Sequence, residues 1–143
     1  MSDTRDFKRY VDVERSKDHF YSSLVAEKSS PFYKMNKRDV FMFAAAVGSY
    51  YNSRSELKDK VNLNLYSDFP ERYRILADSI VLKELNYDTD KILDGKEVVK
   101  ILEEFANGGI ERLYDMTLND LKKNELEEEL FRIFKSAETT SSS

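Results

Sequence analysis

The chain has 143 residues, with 27 Asp and Glu against 23 Lys and Arg, and its formal net charge of −4 argues against a general affinity for polyanions. It contains no cysteine, which excludes disulfide bonds, thiolate catalysis and cysteine-based zinc or iron–sulfur sites. Glycine and proline are scarce, at four and two residues, whereas Glu, Lys and Leu are frequent, so we expect a mainly α protein.

The length fits one domain. We expect a flexible N-terminus over residues 1–5, a single helical domain over 6–136 and a disordered tail over 137–143. The first ten residues lack the apolar segment of a secretory signal, and no apolar run approaches the ~20 residues of a membrane span. These features favour a cytoplasmic protein.

Apolar residues recur at spacings of three and four from Asp6 to about Lys28, which predicts one long helix or two short ones. Pro31 ends this region, because proline disfavours helix at the residue before it. His19 is the only histidine. We interpret it as a surface or packing residue, since it has no recognisable ligand or catalytic context.

The most apolar run of the chain extends from Pro31 to Tyr51 and predicts the central helix of a compact bundle. Asn36 is the predicted N-cap, with Asp39 near the positive end of the helix. The small residues Ala44–Ala46 and Gly48 would let another helix approach closely.

Residues 61–66 alternate between apolar and polar side chains, which predicts a short β-hairpin or edge strand. A single strand cannot satisfy its own backbone hydrogen-bonding groups. Its partner could be a hairpin within the loop, another segment of the chain or a second subunit, so a homodimer is compatible with this pattern.

Further helices are predicted up to Asn86, from Lys96 to Ala106, from about Ile110, and finally to Lys135, which gives a bundle of five or six helices. The sequence Asn107-Gly108-Gly109 predicts a helix end, because both residue types tolerate left-handed backbone angles.

The connector before Lys96 carries Asp88, Asp90 and Asp94, but their spacing does not match a calcium-binding loop. Capping of the next helix by Asp94 is the better interpretation.

Sequence motifs for catalysis are absent: there is no glycine-rich phosphate loop, no HExxH and no GxSxG. The pair Glu103-Glu104 could be recruited into a metal-dependent nuclease site, yet its spacing does not call for one. We therefore expect no enzymatic activity, no metal and no cofactor.

Charge is distributed unevenly along the chain. Residues 28–60 carry seven basic and three acidic side chains, whereas residues 84–138 carry eight basic and fifteen acidic ones. If the protein binds DNA, the basic segment supplies the phosphate contacts. The candidate DNA-binding residues are Lys37, Arg38, Arg54, Lys58 and Lys60.

Two segments carry a family resemblance. PFYKMNKRDVFMFAAAVG (residues 31–48) and EEFANGGIERL (residues 103–113) resemble, in order and separation, motifs of small bacterial proteins called DNA phosphorothioation-associated protein 4. The chain departs from the family's pattern at Arg38, which interrupts Lys37 and Asp39, and at Phe105, where the family's motif has tyrosine. Neither motif has catalytic character, so we expect them to specify the fold.

The resemblance implies a setting in bacterial defence against foreign DNA rather than a reaction. We therefore expect a non-enzymatic accessory or adaptor protein of a DNA modification or restriction system, acting through contacts with protein partners from a defence operon. A DNA-binding regulator or sensor that uses the basic 34–60 region is the alternative.

Overall fold

The computed structural model describes residues 3–118 and 129–137. This part is mainly helical with one two-stranded antiparallel sheet, which confirms the predicted fold class. Its elements are β1 (Tyr10–Glu14), α1 (Asp18–Ala26), α2 (Lys37–Tyr50), β2 (Lys60–Leu65), α3 (Glu71–Glu84), α4 (Gly95–Leu118) and α5 (129–137), with 3-10 turns at Arg15–Lys17, Tyr66–Asp68 and Lys91–Leu93.

None of the helices described here combines the length and the apolar character needed to cross a membrane. Residues 119–128, where the predicted last helix begins, and residues 138–143 of the disordered tail predicted at 137–143 lie outside the described residues.

The N-terminal region contains a strand at residues 10–14 and a 3-10 turn at 15–17, so the helix predicted from Asp6 to Lys28 is wrong before Asp18. β1 pairs antiparallel with β2, with Glu14 opposite Lys60 and Tyr10 opposite Leu65. The apolar residues of this region have the spacing of a helix. The segment nevertheless forms a strand, because β1 and β2 satisfy each other's backbone hydrogen-bonding groups. The partner of β2 is thus another segment of the same chain.

The residues before β1 are attached to α3. The Arg5 guanidinium donates to the Asp78 carboxylate at 2.8 and 3.0 Å and to the Ile92 carbonyl at 3.0 Å. Asp3 also accepts from Arg5, at 2.6 Å. These contacts anchor the beginning of the described chain to the helical body.

The predicted cap of α2 is confirmed. Asn36 and Asp39 form a capping box, in which the Asp39 carboxylate accepts the Asn36 backbone N–H at 2.9 Å. Asp94 likewise caps α4 as predicted, since its carboxylate accepts the Glu97 N–H at 3.2 Å. Both helices begin with unpaired N–H groups that these side chains satisfy.

α4 runs without interruption from Gly95 to Leu118, so the helix end predicted at residues 107–109 is wrong. A Cβ on Gly109 would lie 2.1 Å from the Ala44 carbonyl oxygen, and one on Gly48 would lie 1.9 Å from the Phe105 carbonyl oxygen. The glycines therefore serve a close antiparallel crossing of α2 and α4 rather than a turn.

α4 is enclosed on every side along its middle. All residues from 101 to 110 are buried except Gly108, which is partly exposed. α5 lies over α2 and α3, where the ring centroids of Phe134 and Phe43 are 3.9 Å apart with the rings tilted and the Ser79 hydroxyl donates to the Ala137 carbonyl at 2.6 Å. A helix surrounded in this way is expected to be apolar all round, yet α4 carries three polar residues there.

Substitution of Gly109 by alanine tests the crossing. Alanine normally stabilises a helix relative to glycine by about 0.5–1 kcal/mol. Here the added methyl group meets backbone of α2, so we expect Gly109→Ala to lower the free energy of unfolding by about 1–3 kcal/mol. Urea denaturation measures the change, with Asp115→Ala on the exposed face of α4 as the control. An increase in stability in Gly109→Ala would contradict the crossing.

Candidate functional site

The polar residues at the centre of α4 are the first candidates for a site. Glu103, Glu104 and Asn107 are 3%, 8% and 6% exposed. Burying a charged or polar group is costly unless it is paired or hydrogen-bonded. The partners of these three side chains therefore reveal what the centre of the molecule does.

Glu103 joins α4 to the N-terminal segment. Its Oε2 accepts one hydrogen bond from the Lys8 ammonium, at 2.8 Å, and one from the Asp12 backbone N–H, at 2.6 Å. The same ammonium donates to the Asp12 carboxylate at 2.7 Å. Burial raises the pKa of Glu103, and the one ammonium, shared between two carboxylates, does not offset that effect. Burial alone would lower the pKa of Lys8, but its bonds to the two carboxylates outweigh burial and raise it.

Glu104 joins α4 to the loop after α2. Its carboxylate accepts a hydrogen bond from Arg54 Nε at 2.6 Å. Arg54 also donates to the Glu84 carboxylate on α3, at 3.0 Å. The Glu104 carbonyl accepts the Ser55 N–H at 3.0 Å. One arginine thus connects two helices and the loop.

Asn107 and Gly108 complete the attachment of this loop. The Asn107 amide donates to the Ser55 carbonyl at 3.2 Å, and the Gly108 carbonyl accepts the Ser53 hydroxyl at 3.0 Å. The Lys17 ammonium donates to the Asn107 carbonyl at 3.0 Å. Residues 103–108 therefore hold three irregular parts of the chain around α4.

The contacts of residues 103–108 join elements of the chain to one another. Both glutamates use their carboxylates to bind cations of the chain itself. Within residues 3–118 and 129–137, no group of three or more His, Cys, Asp or Glu side chains is placed to hold a metal ion.

A cleft between α2, α3 and α5 offers little room for a substrate. Its volume is about 20 Å³, and its lining includes Tyr50, Ser79, Lys83 and Ile133. Such a space holds about one water molecule, whereas small-molecule sites typically measure ~300–1,000 Å³.

The candidate DNA-binding residues do not form one cluster. Lys37 and Arg38 begin α2, whereas Arg54 follows its other end, and the 14 residues of α2 span about 20 Å. Lys58 and Lys60 are exposed neighbours at the start of β2. The set is thus divided between the beginning of α2 and the segment that follows this helix.

Several of these cations already have partners. Arg54 binds two glutamates, as described above, and the Lys37 ammonium lies 3.7 Å from the Asp18 carboxylate. Arg38 is half-buried, and its Nε atom has no hydrogen-bond partner among the described residues. DNA binding by the set remains a prediction.

Sequence reasoning missed two cations beside Lys58 and Lys60. Arg15 and Lys17 follow β1 directly, and the register places Glu14 opposite Lys60. Both residues therefore follow β1 at the end of the sheet where β2 begins, although the Lys17 ammonium is turned to the Asn107 carbonyl. The alternation of Val11 and Val13 with polar residues was the signal that could have identified β1 as a strand.

The model of the family described as DNA sulphur modification system-associated protein 4 matches residues 11–143. The chain belongs to this family. No curated protein and no solved structure matches it. The match confirms the resemblance found in the sequence, and the family's description associates the chain with a DNA sulphur modification system.

In this family member, the two segments that carry the resemblance meet in space. Gly48 of the first segment contacts Phe105 of the second, and Ala44 contacts Gly109. The second segment also supplies Glu103, Glu104 and Asn107. The expectation that these motifs specify the fold agrees with these contacts.

Removal of the Lys8 ammonium tests the electrostatics of the centre. Lys8→Met leaves the carboxylates of Asp12 and Glu103 without their cation. Loss of one partner of a buried pair costs about 3–5 kcal/mol, and because Lys8 is 30% exposed we expect the lower end, about 3 kcal/mol, at neutral pH.

The cost of Lys8→Met should depend on pH. Burial places the pKa of Glu103 above its unfolded value, so the folded state binds the proton more tightly. The free energy of unfolding therefore decreases as the pH rises through this raised pKa and increases again as the pH falls. We expect denaturation at pH 4 and pH 7 to show a smaller deficit at pH 4, with Lys100→Met as the exposed control. A deficit equal at both pH values would contradict this account.

Proposed function

We propose that the protein is a non-enzymatic adaptor of a DNA sulphur modification system that acts through protein–protein contacts. The observation that carries the proposal is the engagement of Glu103 and Glu104, the acidic pair that the sequence offers for nuclease chemistry. Each of them is bound to a cation of the chain at 2.8 Å or less.

A catalytic carboxylate must be free to bind a metal ion or to exchange a proton with a substrate. Glu103 would first have to release Lys8 and the Asp12 N–H, and Glu104 would have to release Arg54. Each release leaves a buried charge without its partner, which is strongly unfavourable. The geometry therefore favours a structural use of this pair.

An adaptor needs a stable body and exposed groups that a partner can bury. The enclosed α4 supplies the stable body. Large apolar or aromatic side chains with 45–66% exposure supply the second, and they include Tyr50, Ile75, Tyr87, Leu93 and Phe131. Aromatic side chains of this kind contribute strongly when a partner covers them.

Direct binding measurements test the proposal. The purified protein is immobilised, and each purified protein component of the modification system from the same organism is passed over it in biolayer interferometry. We expect saturable binding of at least one component, because an adaptor must hold a partner. An unrelated acidic helical protein of equal net charge is the control. Binding of no component, together with magnesium-dependent cleavage of DNA, would overturn the proposal in favour of a nuclease.

The alternative function is a DNA-binding regulator or sensor. It is favoured by Lys58 and Lys60, which are exposed and have no carboxylate partner among the described residues. Neighbouring cations of this kind can contact phosphates.

Fluorescence anisotropy separates the two functions. Plain and sulphur-modified duplexes are titrated at about 50 and 200 mM salt, a range over which phosphate contacts weaken steeply. For a DNA-binding protein we expect salt-sensitive binding that Lys58→Gln with Lys60→Gln reduces, and a preference for the modified duplex would identify a sensor. For an adaptor we expect no binding at the lower salt concentration.

A further inference from the structure

α5 covers a groove on the surface of the bundle. Its residues Leu130, Ile133, Phe134 and Ala137 have the spacing of one helical face and pack against the core. On the opposite face the Phe131 side chain is 66% exposed. α5 is therefore an amphipathic helix that lies on α2 and α3 with a single apolar stripe.

The floor of this groove is apolar, and α5 fills it incompletely. Ala46 of α2 and Ile80 of α3 are each 2% exposed, and the Phe43 ring lies against the Phe134 ring. A cavity of about 20 Å³, lined in part by Ala46, Ile80 and Ile133, remains between the three helices. The fit of α5 is thus looser than that of α2 against α4, where there is no room for a Cβ on the glycines of the crossing.

A hydrogen bond fastens each end of α5 to the groove. The Tyr51 hydroxyl, which follows α2, donates to the Glu129 carboxylate at the beginning of the described helix. The Ser79 hydroxyl of α3 donates to the Ala137 carbonyl at its other end, at 2.6 Å. Ser79 is 2% exposed, so its hydroxyl needs an acceptor from whatever covers the groove. Another helix with the same pattern of residues would satisfy both donors.

The core of the bundle does not depend on α5. Two of its nine described residues are buried, whereas eight of the fourteen residues of α2 are buried. The crossing of α2 with α4 is made by Gly48 and Gly109 and includes no residue of α5. Elements with few buried contacts open at a lower free energy than the core. α5 is therefore able to detach while α2, α3 and α4 keep their arrangement.

We propose that α5 is a displaceable strap, and that an amphipathic helix of a protein partner takes its place in the groove. This inference rests on the proposed adaptor function. The chemistry of the partner helix follows from that of α5. It carries a carboxylate where Glu129 stands, large apolar residues one, four and five positions later, and a small residue eight positions later. Because the two helices compete for one groove, binding of the partner includes the free-energy cost of detaching α5.

Weakening of α5 is the first test. Phe134→Ala removes the ring that packs on Phe43, whereas the matched control Phe131→Ala removes an exposed ring from the other face of the same helix. The probe is the purified component of the modification system that binds the wild-type protein in biolayer interferometry. We expect Phe134→Ala to bind it roughly threefold to tenfold more tightly, because a larger fraction of the protein has an open groove. Phe131→Ala should gain no affinity. Weaker or unchanged binding by Phe134→Ala is the result expected of a purely structural helix, and it would overturn the inference.

A disulfide lock is the second test. The chain contains no cysteine, so Ser79→Cys with Ala137→Cys introduces a unique pair at two positions that contact each other. We expect the oxidised variant to bind the same component at least about tenfold more weakly than the variant reduced with dithiothreitol, because the locked α5 keeps the groove closed. Ser79→Cys alone, measured under both conditions, is the control. Mass spectrometry verifies the disulfide bond.

Hydrogen exchange of the free wild-type protein is the third test, and it needs neither a variant nor a partner. Amides of residues 133–137 should exchange about a hundredfold faster than those of residues 44–48 in α2, through an opening that low concentrations of urea leave unchanged. Exchange of both segments at one common rate, set by global unfolding, would show that α5 does not detach.

The outcomes separate the two proposals. Equal binding by the oxidised and reduced lock would overturn the strap and leave the adaptor function standing. Absence of binding by every component would overturn the adaptor function, and hydrogen exchange would still decide whether α5 opens. A wild-type dimer that the oxidised lock converts to a monomer would assign the groove to α5 of a second copy of the chain instead of a partner helix.

Discussion

The structure depends on the enclosure of α4. Its residues from 101 to 110 are buried apart from the partly exposed Gly108, and the crossing with α2 is so close that neither Gly48 nor Gly109 has room for a Cβ. Close packing of this kind leaves the two helices one relative position. The remaining elements are arranged around this pair, because they cover the sides of α4 that α2 leaves open.

Enclosure imposes a requirement on the polar residues of α4. Glu103, Glu104 and Asn107 have lost their water, so groups from elsewhere in the chain must replace it. Lys8 and Asp12 come from the N-terminal segment, and Arg54 comes from the loop after α2. These three polar residues therefore determine where the irregular parts of the chain lie, because their partners come from those parts.

The same requirement shapes the surface. Arg54 is directed to Glu104 and Glu84, which partly neutralise its charge. Attachment of the loop to α4 and pairing of β1 with β2 bring Lys58 and Lys60 beside Arg15 and Lys17. Glu14, Asp18, Glu56 and Asp59 lie in the same two segments, so these cations are matched by an equal number of carboxylates.

Sequence by itself determined the fold class, the boundaries of α2 with its Asn36 and Asp39 cap, the cap at Asp94 and the presence of β2, because periodicity and capping are local properties. Tertiary structure alone decided that residues 10–14 form a strand, since their partner lies about fifty residues away in the chain. It also decided that Gly108 and Gly109 stand inside a helix. Glycine satisfies both a helix end and a close helix crossing, and only the position of Ala44 on the neighbouring helix distinguishes them. The ion-pair partners of the candidate cations could not be predicted either. The sequence shows which residues are charged, but the packing decides which carboxylate lies beside each cation.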